Sequence, residues 1–206
     1  MDMLSMGQHV TSNESRKPKA IFLDRDGTVN RNTGYLIDFE DFELLPGVET
    51  ALRIFQELDY RLFIVSNQSG VARGYFTFAA VEELHRKIAA DLAARGIVID
   101  EIRFCPHHPQ GTVAQYTQVC ECRKPLPGML RTLALKYSLD LGGSIMAGDN
   151  EIDALAGINA GSAGVWIRPE MEAAPPAGQV DNPRKIKEFA SLLDFAVDLR
   201  EIASRT

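Results

Sequence analysis

Short apolar runs alternate along this chain with longer stretches in which apolar positions recur every three or four residues. AIFL (20–23), RLFIVS (61–66), EIRFC (101–105), SIMAG (144–148) and GVWI (164–167) read as five strands. Their nearly continuous apolar character is that of parallel strands covered on both faces. VETALRIFQEL (48–58), AAVEELHRKIAADLAARG (79–96), PGMLRTLALKYS (127–138) and the shorter EIDALAGINA (151–160) carry the helical period, with Gly96 and Gly161 as stops. PEMEAAPPAGQVDNP (169–183) has loop composition, and RKIKEFASLLDFAVDLREIAS (184–204) predicts a terminal helix.

Strands alternating with helices predict right-handed βαβ units and a doubly wound, mainly parallel α/β sheet of five or more strands. Residues 1–18 read as a disordered tail and 19–206 as a single domain. Two insertions, 69–77 and 106–126, are too short to fold as a separate cap domain over the sheet.

Composition narrows the setting. The chain has 206 residues, 45% of them hydrophobic, enough for one sizeable core. The net charge of −6 is interspersed, which argues against a nucleic-acid or anionic-membrane partner. No apolar run reaches the roughly 18 residues a membrane span needs, and the start lacks a secretory apolar segment. A cytoplasmic protein acting as a monomer on a small molecule is expected. All three cysteines, Cys105, Cys120 and Cys122, fall in one short stretch, which in a reducing compartment favours metal binding over disulfides.

The chemistry begins at the end of the first strand, where AIFL runs into DRDGT. In an open α/β sheet, ligands bind outside the carboxyl ends of the strands. Asp24 and Asp26 follow the first strand, Ser66 and Asn67 end the second, Asp149 ends the fourth, and Lys124 precedes the helix leading into it. All should meet at one edge. In extended backbone, residues i and i+2 point the same way, so Asp24 and Asp26 can flank one group while Arg25 turns aside.

If that group is phosphoryl, Asp24 can attack phosphorus and Asp26 can serve as general acid and then base. A phosphate beside two carboxylates is repelled by roughly 4 kcal/mol per close pair at an effective dielectric of 20. Mg²⁺ held by Asp24, Asp149 and a backbone carbonyl would offset this. Lys124 would add positive charge, Ser66 and Asn67 hydrogen bonds, and Gly27 room for close approach. Asp153, one turn further, reads equally as a metal-site orienter or a helix cap.

The stretch CPHHPQGTVAQYTQVCECRKP (105–125) places C-x-H and C-x-C at the two ends of a loop. Cys105, His107, Cys120 and Cys122 make a closed tetrahedral zinc set, structural rather than catalytic. His108 competes with His107, whose i+2 spacing from Cys105 mirrors the other pair. A zinc clip here would aim Arg123 and Lys124 at the phosphate pocket.

DRDGT, SNQSG, RKP and GDNEID, in this order, resemble the four motifs of the haloacid dehalogenase (HAD) superfamily of phosphohydrolases. The resemblance implies a HAD-like Rossmannoid fold, with Asp24 as nucleophile, Asp26 as acid/base and Ser66 and Lys124 stabilising the phosphoryl group. It also implies Mg²⁺ on Asp24, Asp149 and the Asp26 carbonyl. The zinc loop and SNQSGVARGYFT are similar to those of the heptose 1,7-bisphosphate phosphatases, with the histidinol-phosphate phosphatases as relatives on a shorter loop.

That likeness implies substrate contacts at Asn32, Tyr35, Asn67, Gln68, Ser69, Arg123 and Asn150. Asn150 stands where these enzymes commonly carry Lys. The implied activity is removal of the 7-phosphate of a heptose bisphosphate in nucleotide-activated heptose synthesis for lipopolysaccharide or related surface polysaccharide. Two other readings remain: a histidinol-phosphate or other small sugar-phosphate phosphatase, and a zinc-stabilised phosphate-binding module without chemistry.

Overall fold

The computed structural model describes residues 17–169 and 186–205. Six parallel strands form one sheet: β1 (Lys19–Leu23), β2 (Tyr60–Asn67), β3 (Glu101–Cys105), β4 (Ile145–Gly148), β5 (Ala163–Ile167) and β6 (Lys187–Phe189). Their order is β3-β2-β1-β4-β5-β6. The helices are α1 (Val48–Glu57), α2 (Phe78–Ala94), α3 (Gly128–Tyr137), α4 (Glu151–Ala160) and α5 (Leu192–Ala203).

Side chains alternate across a strand, so β1 feeds two cores. Ile21 and Leu23 face a layer with Leu52, Phe55, Leu84, Ile88 and Phe195. Ala20 and Phe22 face Phe63, Met129, Leu133 and Met146 on the other side. Each fully buried large side chain contributes about 1.5–3 kcal/mol, and this two-sided burial is what makes the strands apolar throughout.

The chain winds outward from β1 through β2 to β3, then returns to lay β4 on the other side of β1. Leu23 is in register with Ile64 on one side and Ala147 on the other. The Asp24 N–H donates to the Ala147 carbonyl at 2.9 Å, so the pairing continues one residue past the strand. This reversal opens a crevice at the strand ends, and Asp24 and Asp149 sit on its two lips.

The C-terminal segment departs from expectation. The helix expected over 184–204 is instead β6 followed by α5. Lys187–Phe189 pairs along Val165–Ile167, covering what would be an open sheet edge, and Phe189 is buried. Ser191 caps α5, its Oγ accepting from the Asp194 N–H at 3.1 Å, and so stops the helix from running back. Of the expected tail, residues 1–16 lie outside the described residues, as do 170–183 of the expected loop and 184–185 of the expected helix. Among the described residues, the insertion after β2 carries turns and the one after β3 a single 3-10 turn, Ala114–Tyr116; neither forms a cap domain.

Candidate active site and metal-ligating clusters

A cavity of about 460 Å³ opens at the carboxyl ends of β1, β2 and β4. It is lined by Asp24, Asp26, Asn32, Tyr35, Ser66, Asn67, Gln68, Ser69, Lys124, Asp149 and Asn150, together with Gly34, Ile152 and Asp153. Of the residues expected here, Arg123 alone does not line it. Arg123 borders the neighbouring hollow and donates to the His107 carbonyl at 3.3 Å.

Lys124 is 3% exposed, and its Nζ donates to Asp24 Oδ1 at 2.6 Å and to the Val65 carbonyl at 2.8 Å. It also pairs with Asp153 Oδ1 at 2.7 Å. Burial pulls the ammonium down, but Asp24 and Asp153 more than offset it and hold its pKa above the ordinary lysine value. Burial pushes the Asp24 carboxyl up to about 7, Lys124 opposing and Asp153 and Asp149 adding to the rise. Burial likewise raises Asp149 to about 6, with Asp153 as the main repelling neighbour. Carboxylates crowded this way call for more positive charge than one lysine carries.

Asp24, Asp149 and Asp153 each bring a carboxylate oxygen within 4.8 Å of the others. Hard oxygens in this number suit Mg²⁺. The backbone is shaped to let the acids approach. Gly27, at φ +84°, would put a Cβ 2.0 Å from Asp149 Oδ2, and a Cβ on Gly148 would fall 2.3 Å from Asp153 Cβ. Asp153 caps the helix, its Oδ2 accepting from the Asn150 N–H at 3.0 Å, while its carboxylate also stands in the cluster that could hold a metal ion. Asn150 is occupied in the same turn, its Oδ1 accepting from the Ile152 N–H at 3.2 Å. Trp166 Nε1 donates to the Asp149 carbonyl at 3.0 Å and fixes that backbone.

Asp26 turns toward a different set. Arg25, fully buried, donates from Nε to Asp26 Oδ1 at 3.0 Å and from Nη2 to Oδ2 at 2.8 Å. Asn30 Nδ2 reaches Oδ1 at 3.1 Å and Gln68 Nε2 reaches Oδ2 at 2.9 Å. Arg25 therefore does not simply turn aside. Its Nη1 lies 2.9 Å from Nε2 of His85, which is 5% exposed. The sequence signal for that burial was the spacing Val81, Leu84, His85, Ile88 and Leu92, one face of α2.

The second cluster is Cys105, His107, Cys120 and Cys122. Cys122 Sγ lies 3.1 Å from Cys105 Sγ, 3.3 Å from Cys120 Sγ and 3.3 Å from His107 Nδ1. Cys105 Sγ is 3.5 Å from Cys120 Sγ and 3.7 Å from His107 Nδ1. Ligands about 2.0–2.3 Å from one tetrahedral zinc would be spaced by about 3.3–3.8 Å, so four atoms at 3.1–3.7 Å could close on that ion with a slight spreading of the Cys105 and Cys122 sulfurs. The hydrogen bond with Cys105 holds the Cys122 thiol down to about 5, and the same bond pushes Cys105 up. His108 stays outside, its Nε2 lying 3.5 Å from Arg73 Nη2.

The two clusters are joined through β2 and β3. Cys105 is in register with Asn67, and the Gln68 N–H donates to the Cys105 carbonyl at 2.9 Å. Asn67 Oδ1 accepts from the Lys124 N–H at 3.0 Å and its Nδ2 donates to the Lys124 carbonyl at 3.2 Å. Expected to face phosphate, this amide here fastens the loop that delivers Lys124.

Comparison with known proteins gives a consistent picture. Residues 121–188 match the family described as HAD-hyrolase-like. The D-glycero-beta-D-manno-heptose-1,7-bisphosphate 7-phosphatase of Yersinia pestis is 46% identical over 141 residues, covering 68% of this chain and 75% of that protein. The protein of the same name from Escherichia coli (strain K12) is 43% identical over 162 residues, covering 75% and 85%. A D,D-heptose 1,7-bisphosphate phosphatase from B. bronchiseptica, solved with magnesium and phosphate, superposes with a TM-score of 0.74. It is 33% identical and covers 89% of this chain and 99% of its own.

Proposed function

The chain belongs to the heptose-1,7-bisphosphate 7-phosphatase family of HAD-like hydrolases and is a phosphoric monoester hydrolase, and from that membership we propose its substrate and the roles of its residues. It removes the 7-phosphate of D-glycero-D-manno-heptose 1,7-bisphosphate, in the synthesis of nucleotide-activated heptose for lipopolysaccharide or a related surface polysaccharide. It acts as a cytoplasmic monomer, with neither nucleic acid nor membrane as partner. Among the described residues no helix is long and apolar enough to cross a membrane.

Asp24 attacks phosphorus. Lys124 holds its Oδ1 at 2.6 Å, leaving the other carboxylate oxygen to form the bond. Asp26 gives a proton to the departing sugar oxygen, then takes one from the water that hydrolyses the aspartyl-phosphate. Ser66 and Lys124 stabilise the transferring phosphoryl group. Asn32, Tyr35, Gln68 and Ser69 contact the sugar phosphate, with Arg123 and Asn150 at the margin.

Asp24, Asp149 and the Asp26 carbonyl would hold Mg²⁺, with Asp153 steadying the site. When bound, the ion supplies the charge that lets a phosphate approach the carboxylates. Cys105, His107, Cys120 and Cys122 would hold zinc and so fix the loop carrying Arg123 and Lys124.

The observation that carries this reading is the meeting of Asp24, Lys124, Asp149 and Asp153 at one sheet edge, from segments as far apart as residues 24 and 153. A phosphate-release screen over sugar bisphosphates and histidinol phosphate, with and without Mg²⁺, tests it. The heptose bisphosphate should be preferred in kcat/KM by roughly a hundredfold or more, and only with Mg²⁺. A preference for histidinol phosphate would overturn the substrate assignment.

A further inference from the structure

An ionised carboxylate has about four lone-pair sites, and on Asp26 all four are used. Oδ1 accepts from Arg25 Nε and Asn30 Nδ2, and Oδ2 from Arg25 Nη2 and Gln68 Nε2. Four donors on one carboxylate fix its plane, and it is this group that is to take the proton of the hydrolytic water. The four donors also differ in how freely they can leave.

Gln68 Nε2 has a second acceptor, Ser66 Oγ at 2.8 Å, and Asn30 Nδ2 has the Arg31 carbonyl at 2.8 Å. Either amide can let go of Asp26 and stay bonded. Arg25 is fully buried, with two nitrogens on Asp26 and the third on His85. A guanidinium nitrogen only donates, so His85 Nε2 accepts and the ring proton sits on Nδ1, which is buried without a hydrogen-bond partner. His85 thus forgoes one hydrogen bond of its own while serving Arg25. Phe104 packs edge-on against the imidazole, ring centres 5.3 Å apart, and limits its rotation.

We infer that Arg25, seated on His85, is a positioning residue that holds Asp26 for the hydrolysis half of the reaction. The inference rests on the acid/base role proposed for Asp26. In that half, water oxygen bonds to phosphorus, the phosphorus–oxygen bond to Asp24 breaks and Asp24 recovers its carboxylate. The proton of the water passes to Asp26, and Gln68 or Asn30 gives way to admit it. The Arg25 fork keeps the carboxylate plane aimed while its partners change.

An aryl ester isolates this half, because p-nitrophenolate leaves without help from an acid. The Mg²⁺-loaded full chain is assayed on p-nitrophenyl phosphate, in the steady state and by rapid mixing, as wild type, His85→Leu, His85→Gln, Arg25→Lys and Asp26→Asn. His85→Leu and Arg25→Lys should lower kcat and KM together, by about tenfold, with kcat/KM within a factor of two. Both should show a burst approaching one p-nitrophenolate per chain. His85→Gln, whose amide oxygen can accept from Arg25, should restore most of kcat.

A parallel fall of kcat and kcat/KM without a burst would mean a general structural role and would overturn the inference. So would Arg25→Lys turning over at the wild-type rate, an arm that decides the matter even where His85→Leu does not fold. Asp26→Asn should show the largest burst. If it turns over normally, the acid/base role itself fails, whatever the His85 variants do.

Discussion

Asp24, Asp149 and Asp153 share one small volume with the Lys124 ammonium, and the protonation of Asp24 and Asp149 is tied to any cation that joins them. Burial raises Asp24 to about 7 and Asp149 to about 6, well above the ordinary carboxylate range. Mg²⁺ needs the ionised forms, so its binding must displace protons at and below those values. Affinity should therefore be steady near pH 8 and weaken as pH falls, about tenfold per unit for each proton displaced once below about 6. Trp166, the one tryptophan of the chain, bonds the Asp149 carbonyl, so its fluorescence can follow the titration. Affinity that does not change between pH 5 and 8 would contradict this account of the acids.

At this scale the residues whose place at the cavity was legible were those set by their neighbours in the chain. Asp24 and Asp26 stand two apart at a strand end, and Asp149 closes another strand. Arg25 and His85 were illegible because their meaning lies in a contact between residues 60 apart. Asp153 was legible as a helix cap, but only coordinates show the same carboxylate with one oxygen on the Asn150 N–H and the other on Lys124.

Among the elements, the loop between β3 and α3 has the largest consequence. It lacks regular structure beyond one 3-10 turn, yet it delivers Lys124 to a buried position. Two fasteners act on it: the Cys105, His107, Cys120 and Cys122 cluster, and the Asn67 amide on the Lys124 peptide. Structural zinc sites of this kind bind with about 10–16 kcal/mol of apparent free energy, which zinc held here would put into fixing the loop.

Metal analysis should find one zinc per chain, and Cys122→Ser should lose it. That variant should melt at lower temperature and raise KM at least about tenfold, since Arg123 and Lys124 follow directly. A zinc-free variant with unchanged KM would detach the clip from the substrate site. The ligand spacing C-x-H and C-x-C made this element readable. β6 was not: three residues cannot break a helical period, and Lys187–Phe189 becomes a strand because the edge of β5 is there to pair with.

For the whole molecule, the place of the cavity follows from topology. The order in which strands are laid down reverses across β1, and that reversal sets Asp24 beside Asp149 although 125 positions separate them in the chain. With no cap domain among the described residues, the cavity of about 460 Å³ is bounded by the ends of the sheet and short loops. The parallel fold was legible because strand and helix periods alternate cleanly. Which loops border the cavity was less so, since Arg123 ends up beside it rather than in it.

The proposed function makes an Asp24 carboxylate oxygen the atom that bonds to phosphorus, and one comparison tests that most directly. Phosphate release from the heptose 1,7-bisphosphate is measured with Mg²⁺ for wild type and Asp24→Asn, alongside their melting curves. The account predicts a loss of at least about a thousandfold in kcat with the fold retained. Near-wild-type turnover by a folded Asp24→Asn would contradict it.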